Sequence, residues 1–304
     1  MTEARKKDVP LVSIVMPSFN QAQFIEEALN SILNQSWQRI EVIVQDGGST
    51  DGTQALLSKK SNQDKRLRWV SEPDKGPSDA LNKALDKVRG TYIGWLNSDD
   101  CFTQGAIERV MNAFQDHPEW ILCYGQGQYI DESGKFMHLY KTLPKLADPK
   151  PQVPDPSLFQ QGCFICQPTV YFKRTLITML GKLNSDIKAS FDFDYWLRAF
   201  KAFPGRIGYI AYIQASSRLH ENTITYEQRQ RVAVEGIKLL SAHQGKAQSH
   251  WIENYLHEQL QRGRDKQDLH LEVKELVPTL LPYLPDSQQA NLQQTIKTLF
   301  NTNK

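Results

Sequence analysis

Over the first 125 residues the apolar positions alternate between two patterns. Short β-rich runs at 11–16, 40–44, 66–70, 92–96 and 120–124 each end abruptly in turn-forming or acidic residues. Between them, apolar residues recur at helical spacing: Phe24, Ile25, Ala28, Leu29, Ile32 and Leu33, then Leu81, Ala84, Leu85 and Val88, then a helix over 107–114. Ser49, Thr50 or Asp51 can cap the helix after the second run, and Pro77 suits the first turn of the next. Strand, helix, strand, helix in that order predicts an α/β fold, with a mostly parallel sheet and helices on both faces.

The pattern changes after Gly125. Residues 128–130 and 135–139 flank Asp131-Glu132-Ser133-Gly134, a hairpin signature. Five prolines from Pro144 to Pro156 exclude a helix or central strand and predict a loop. A helix over 191–200 and a strand over 207–213 follow. Beyond Thr225 the chain turns to Gln, Lys, Glu and Leu at helical periods, with Trp251, Ile252, Tyr255 and Leu256 on one face. We expect a domain over 1–225 and a helical C-terminal extension over 226–304. The apolar stripe is expected to pack on a core, with a homodimer contact or a membrane-surface helix as alternatives.

Composition narrows the function classes. Of 304 residues, 40% are hydrophobic and 23% charged, with a net charge of +2, so no basic field suggests nucleic acid as a partner. No window approaches the roughly 18 apolar residues of a membrane span. The first ten residues are charged and lack the apolar centre of a signal peptide. The expected location is the cytoplasm, at most peripheral on the inner face of the membrane. The cysteines, including the lone Cys163-Phe164-Ile165-Cys166, lack further ligands at zinc spacing and are expected to be buried free thiols.

The chemistry concentrates at predicted strand ends. Asn97-Ser98-Asp99-Asp100 follows the run at 92–96, which would place carboxylates at the C-terminal edge of the sheet, where open α/β sheets bind ligands. Clustered carboxylates call for a neutralising cation, and hard oxygen ligands suit Mg²⁺ or Mn²⁺; the alternative is a helix cap at Ser98 or Asp99. Asp46, before two glycines, is either a site residue or a turn former. Asp192 is either a base or a cap, and His220 either a phosphate or metal contact or a surface residue.

Pro17-Ser18-Phe19-Asn20, Asp46-Gly47-Gly48-Ser49-Thr50-Asp51-Gly52-Thr53 and Asn97-Ser98-Asp99-Asp100, in that order after strands, resemble the family 2 glycosyltransferases of the GT-A fold. Glu72-Pro73-Asp74-Lys75-Gly76 leading into Asp79-Ala80-Leu81-Asn82-Lys83 is similar to bacterial polysaccharide-building members. Phe191-Asp192-Phe193-Asp194-Tyr195-Trp196-Leu197-Arg198 resembles the acceptor-side helix, and Arg218-Leu219-His220 the late basic segment near the diphosphate. The resemblance covers about 12–225. It implies an inverting, metal-dependent transferase that moves a sugar from a nucleotide-sugar, UDP-sugar first, to a glycan or lipid-linked acceptor in cell-surface polysaccharide synthesis.

By the same resemblance, Asp192 is the general base. Pro17, Ser18, Asn20, Asp46, Asp74, Lys75, Asp79, Asn97, Ser98, Arg218 and His220 bind the donor. Asp99 is the direct ligand of Mn²⁺ or Mg²⁺, with Asp100 and His220 in support, and Gln167, Asp194 and Trp196 face the acceptor. Asn97 departs from the acid usual at its position, and Gly47 stands where many members have a second acid for the base, which leaves GDP or dTDP open. A nucleotidyltransferase or dehydrogenase would need a Gly-rich phosphate loop that the first strand end lacks. A non-catalytic nucleotide-sugar or glycan-binding module on the same fold is the alternative from another class.

Overall fold

A computed structural model describes residues 9–150, 152–221 and 223–300. Its first half alternates as expected: β1 (Val12–Ser18), α1 (Ile25–Leu33), β2 (Ile40–Asp46), α2 (Thr53–Gln63), β3 (Leu67–Ser71), α3 (Pro77–Leu85) and β4 (Tyr92–Trp95). These strands pair in parallel in the order β3-β2-β1-β4. Every residue of β1 and β2 is buried, which is why both read as solid apolar runs and not as alternations. Ile14, Met16, Val42 and Val44 meet Ile25, Leu29 and Ile32 of α1 in one core.

The other half is mixed. β5 (Cys101–Phe102), α4 (Ala106–Asp116), β6 (Leu122–Ile130), β7 (Phe136–Leu139), β8 (Tyr171–Lys173), α5 (Thr175–Leu180), α6 (Phe191–Ala202) and β9 (Ile207–Arg218) follow. β8 lies between β4 and β6 and is antiparallel to both, so the run expected at 120–124 does not neighbour β4. β6 also continues through Gly125 instead of ending there. A Cβ at Gly125 would lie 2.5 Å from Gln214 Cγ and 3.0 Å from the Ile210 carbonyl oxygen. The glycine therefore marks a close approach to β9, with which β6 pairs in parallel. The hairpin forms as predicted: Asp131 N donates to Lys135 O at 2.9 Å, and β6 pairs with β7.

The chain clusters into two compact units. One runs to Pro154 and takes in Phe164–Lys188 and Ala199–His220; the other comprises Asp155–Cys163, Ala189–Arg198 and the chain from Glu221 on. The last change of unit falls after His220, and two earlier segments belong with the later residues. In that second unit are α7 (Ile224–Glu227), α8 (Arg229–Gln244), α9 (His250–Gln261), α10 (Lys266–Leu280) and α11 (Asp286–Phe300). The stripe predicted on α9 is internal to it: Ile252, Tyr255 and Leu256 are at most 1% exposed. Trp251 lies where a Cβ on Gly236 of α8 would sit, stacks near Phe193 at 5.2 Å and donates to Gln160 O at 3.1 Å. Neither a dimer contact nor a membrane surface is needed to cover that stripe. No helix among the described residues is long and apolar enough to cross a membrane.

One buried acid joins the first strands away from their C-terminal ends. Glu41 on β2 lies opposite Ser13 of β1 and accepts from Ser13 Oγ at 2.6 Å, Arg89 N at 2.7 Å and Arg68 Nη2 at 2.7 Å. Burial alone would raise its pKa, but the donors of Ser13, Arg89 and Arg68 together hold it below the ordinary 4.5. A depressed carboxyl pKa adds stability that is present above the unfolded value and lost as pH falls through the folded one. Glu41→Gln is expected to cost about 1–3 kcal/mol in urea unfolding at pH 7, with the difference from the parent shrinking below about pH 4.5. Equal stability of the two proteins at pH 7 would show that the cluster contributes nothing.

Candidate active site

Parallel pairing brings the C-terminal ends of β1 and β2 side by side, with Ser18 opposite Asp46. The loops beyond are stitched together. Asn20 adopts a left-handed φ of 51°, which asparagine tolerates well. Its backbone N donates to Ser49 Oγ at 2.7 Å, and its Oδ1 accepts from Thr50 N at 3.0 Å. Asp51 accepts from Ala22 N and Thr53 N, joining the same two loops. Pro17 is buried in β1, and Ser18 Oγ is buried without a hydrogen-bond partner among the described residues.

Asp46 is wholly buried and both its oxygens are taken. Oδ1 accepts from Ser49 Oγ at 2.5 Å; Oδ2 accepts from Ser71 Oγ at 2.6 Å, Ser49 N at 2.9 Å and Gly48 N at 3.2 Å. The structure therefore makes Asp46 the pin of this turn, with both oxygens bound within the protein.

The acidic segment turns into β5 and not into a helix, which removes the capping alternative for Ser98 and Asp99. Ser98 is buried and Asp99 half-buried. Asn97 is spent on its neighbours: Oδ1 accepts from Trp95 Nε1 at 2.9 Å, and Nδ2 donates to Asp100 Oδ2 at 3.2 Å and Gln167 Oε1 at 3.1 Å. Gln167 Nε2 in turn donates to Trp95 O at 2.9 Å. Both amides, expected at the donor and the acceptor, are engaged here by neighbouring groups of the protein. Asp100 turns inward, accepting from Arg218 N at 2.9 Å as well as from Asn97. Burial, and then the charge of Asp99, raise its pKa well above the ordinary carboxylate range against those donors. It positions the loop through these contacts.

Arg218, expected at the diphosphate, is instead a buried clamp. Its Nε donates to Asp99 O at 2.9 Å, Nη1 to Asp131 O and Glu132 O at 3.2 and 3.0 Å, and Nη2 to Glu27 Oε2 at 2.6 Å. With these contacts and 2% exposure it cannot reach a phosphate. His220, two residues on, does reach the acidic segment: its Nε2 lies 3.1 Å from Asp99 Oδ2, with its ring against Phe24 at 4.8 Å.

Among the described residues no group of three or more His, Cys, Asp or Glu side chains is placed to hold an ion. The pair Asp99 and His220 nevertheless fits a divalent ion. Mg²⁺ and Mn²⁺ commonly take one or two protein ligands and complete their shell with phosphate oxygens and water. The carboxylate of the pair suits Mg²⁺ or Mn²⁺.

Three further expected donor residues lie on the loop after β3 and in the first turn of α3. Asp79 Oδ2 accepts from Lys75 N at 3.1 Å, and that donor, with Lys83, lowers its pKa. Asp79 thus orders the start of α3. Lys75 is exposed. Asp74 Oδ1 accepts from Gly76 N at 2.8 Å.

In the second unit, α6 carries Asp192, Asp194 and Trp196. Asp192 is half-buried, and Oδ1 accepts from Phe193 N at 2.7 Å. Desolvation raises its pKa to about 6. Asp194 is bound to Arg198 at 2.9 Å and His243 at 3.1 Å, which fixes it as a structural acid. Trp196 is wholly buried, so it does not face an acceptor. Sequence reasoning missed Glu235 of α8, whose Oε2 accepts from Ala189 N and Ser190 N at 2.9 and 2.8 Å and so holds the start of α6. It also missed Glu27 as the partner of Arg218. Neither sits in a motif.

Comparison with known proteins agrees with this frame. The model of Glycosyl transferase family 2 matches residues 13–179. The chondroitin synthase of Escherichia coli is 29% identical over 201 residues, 66% of this chain and 28% of that protein. Three glycosyltransferases of Rickettsia species match at 27–29% identity, and the chain spans only 40%, 33% and 38% of their length. S. aureus TarS, solved with UDP-GlcNAc, superposes with a TM-score of 0.66 at 15% identity, over 95% of this chain and 90% of that one. The mannosyltransferase PcManGT of Pyrobaculum calidifontis, solved with GDP-Man and Mn²⁺, gives 0.58 at 17% identity, over 98% and 89%. With its parallel strands β1 to β4 and a family match over residues 13–179, this chain belongs to the family 2 glycosyltransferases and has the GT-A fold.

Proposed function

We propose that the chain moves a sugar, with inversion, from a nucleotide-sugar to a glycan or lipid-linked acceptor in cell-surface polysaccharide synthesis, using Mn²⁺ or Mg²⁺. The observation that carries this is Asp99 beside His220, 3.1 Å apart at the end of a parallel strand. UDP is the first choice of nucleotide, supported by the UDP-GlcNAc of TarS; the GDP-Man of PcManGT keeps GDP as the second. A polymer acceptor is supported by the likeness to chondroitin synthase. The proposed setting is the cytoplasmic side of the membrane.

Each residue then has a task. Asp99 and His220 would hold the ion, and the ion, when bound, would stabilise the charge that grows on the leaving diphosphate. Asp100, Asn97 and Gln167 keep the Asp99 loop rigid, so that the ligands need not reorganise as charge develops. Lys75, exposed beside Gly76, can offer a further positive charge to phosphate. Asp192 removes the acceptor hydroxyl's proton; a pKa of about 6 leaves it ionised near neutrality yet basic enough to accept a proton.

Asp99→Ala is expected to lower sugar transfer by about 10²-fold or more and to abolish the Mn²⁺ dependence of nucleoside diphosphate binding, read by calorimetry. Unchanged metal-dependent binding would refute this ion site, and native binding without any transfer or donor hydrolysis would favour the non-catalytic module.

Because the base must be ionised, transfer should rise with pH through an apparent pKa near 6 and level off above it. Asp192→Asn should lower transfer by about 10²–10⁴-fold and flatten that limb, with donor affinity kept. Asp194→Asn should cost stability but keep the limb. If Asp194→Asn removes the limb and Asp192→Asn keeps it, the roles on α6 are exchanged.

A further inference from the structure

With Asp46 buried, the end of β2 offers no side-chain acceptor for a nucleobase, and position 47 is a glycine. The space that a side chain at 47 would fill is already taken. A Cβ there would lie 2.8 Å from Asp74 Oδ2 and 3.2 Å from Phe19 Cδ2. A carboxylate from the loop after β3 thus stands in the place of the missing acid, opposite a phenylalanine that is 60% exposed.

The placement of Asp74 is built. Its Oδ1 is fixed by Gly76 N at 2.8 Å. The loop is held on one side by Lys83, whose Nζ donates to Pro73 O at 3.0 Å, and on the other by Glu72 N, which donates to Asp46 O at 3.0 Å. Oδ2 accepts no hydrogen bond from the described residues, while every oxygen of neighbouring Asp46 is engaged. Desolvation raises the Asp74 pKa, and the charges of Asp79 and Asp46 add to this against Gly76 N and Lys83. Such a carboxylate gains from a neutral N–H donor brought by a ligand.

Resting on the donor assignment above, we propose that Asp74 selects the nucleotide, with Oδ2 accepting the imino N–H of a base that lies beside Gly47. Uracil, thymine and guanine carry that N–H on the pairing edge; cytosine and adenine present a bare ring nitrogen there, which a carboxylate repels. Gly47 is then part of the selection, because any side chain would displace Asp74.

The test is calorimetric binding of UDP, GDP, CDP and ADP, each with Mn²⁺, to the native chain, to Asp74→Asn and to the relocated pair Gly47→Asp with Asp74→Gly. The native chain should bind UDP or GDP at least tenfold tighter than CDP and ADP. In Asp74→Asn, which is nearly isosteric and partly exposed, that preference should fall by about ten- to a hundredfold, the worth of one charge-assisted hydrogen bond. The relocated pair should recover part of it. A folded Asp74→Asn that keeps the native preference overturns the role of Asp74 and leaves the donor assignment standing. A native chain that binds all four nucleotides alike overturns the selection itself, and one that binds none overturns the donor assignment with it.

Discussion

A guanidinium without water must have its donors met by the protein, and Arg218 meets that demand by reaching into three separate stretches of chain. The Asp99 carbonyl, the carbonyls of the hairpin turn at Asp131 and Glu132, and the carboxylate of Glu27 on α1 all converge on it, while its face rests on Phe24 at 5.0 Å. Its own backbone N–H goes to Asp100. The acidic loop, the β6–β7 turn and the end of β9 therefore share one buried charge. The pairing of His220 with Asp99 follows from it, since a single residue, Leu219, separates the clamp from the imidazole. Arginine suits this post because its fork addresses several acceptors in fixed directions at once.

The parallel half of the fold was legible because its strands are buried on both faces and end in loops with distinct chemistry. β1, β2 and β4 needed only composition and turn residues to be found. β5 and β8 were not legible: two or three residues make no period, and their pairing is decided by strands far away in sequence. Gly125 misled because a glycine that ends a strand and one that lets a neighbouring strand approach look the same in a single sequence.

At the candidate site, the motifs mark the loops at the strand ends, but residue type alone does not say which way a side chain points. Asp46 and Asp99 both follow strands and both precede small or polar residues. One is held by three donors of its own turn and by Ser71 of β3, and the other stays half-open beside a histidine. Asn97, Gln167 and Arg218 make their hydrogen bonds within the loops. Their partners, such as Glu27 191 residues before Arg218, leave no local signal. Asp194, expected to face the acceptor, pairs instead with Arg198 one helical turn on.

The division of the chain has a consequence for how such a protein can change. The turn of α6 that carries Asp192 starts on backbone N–H groups held by Glu235 of α8, and Phe193 packs on Trp251 of α9, which only a glycine at 236 admits. The helices after residue 221 are therefore not a free module that could be exchanged for another tail. A graft that swapped them would carry away the scaffold of residues 189–198, so this segment and those helices must be inherited, or redesigned, together.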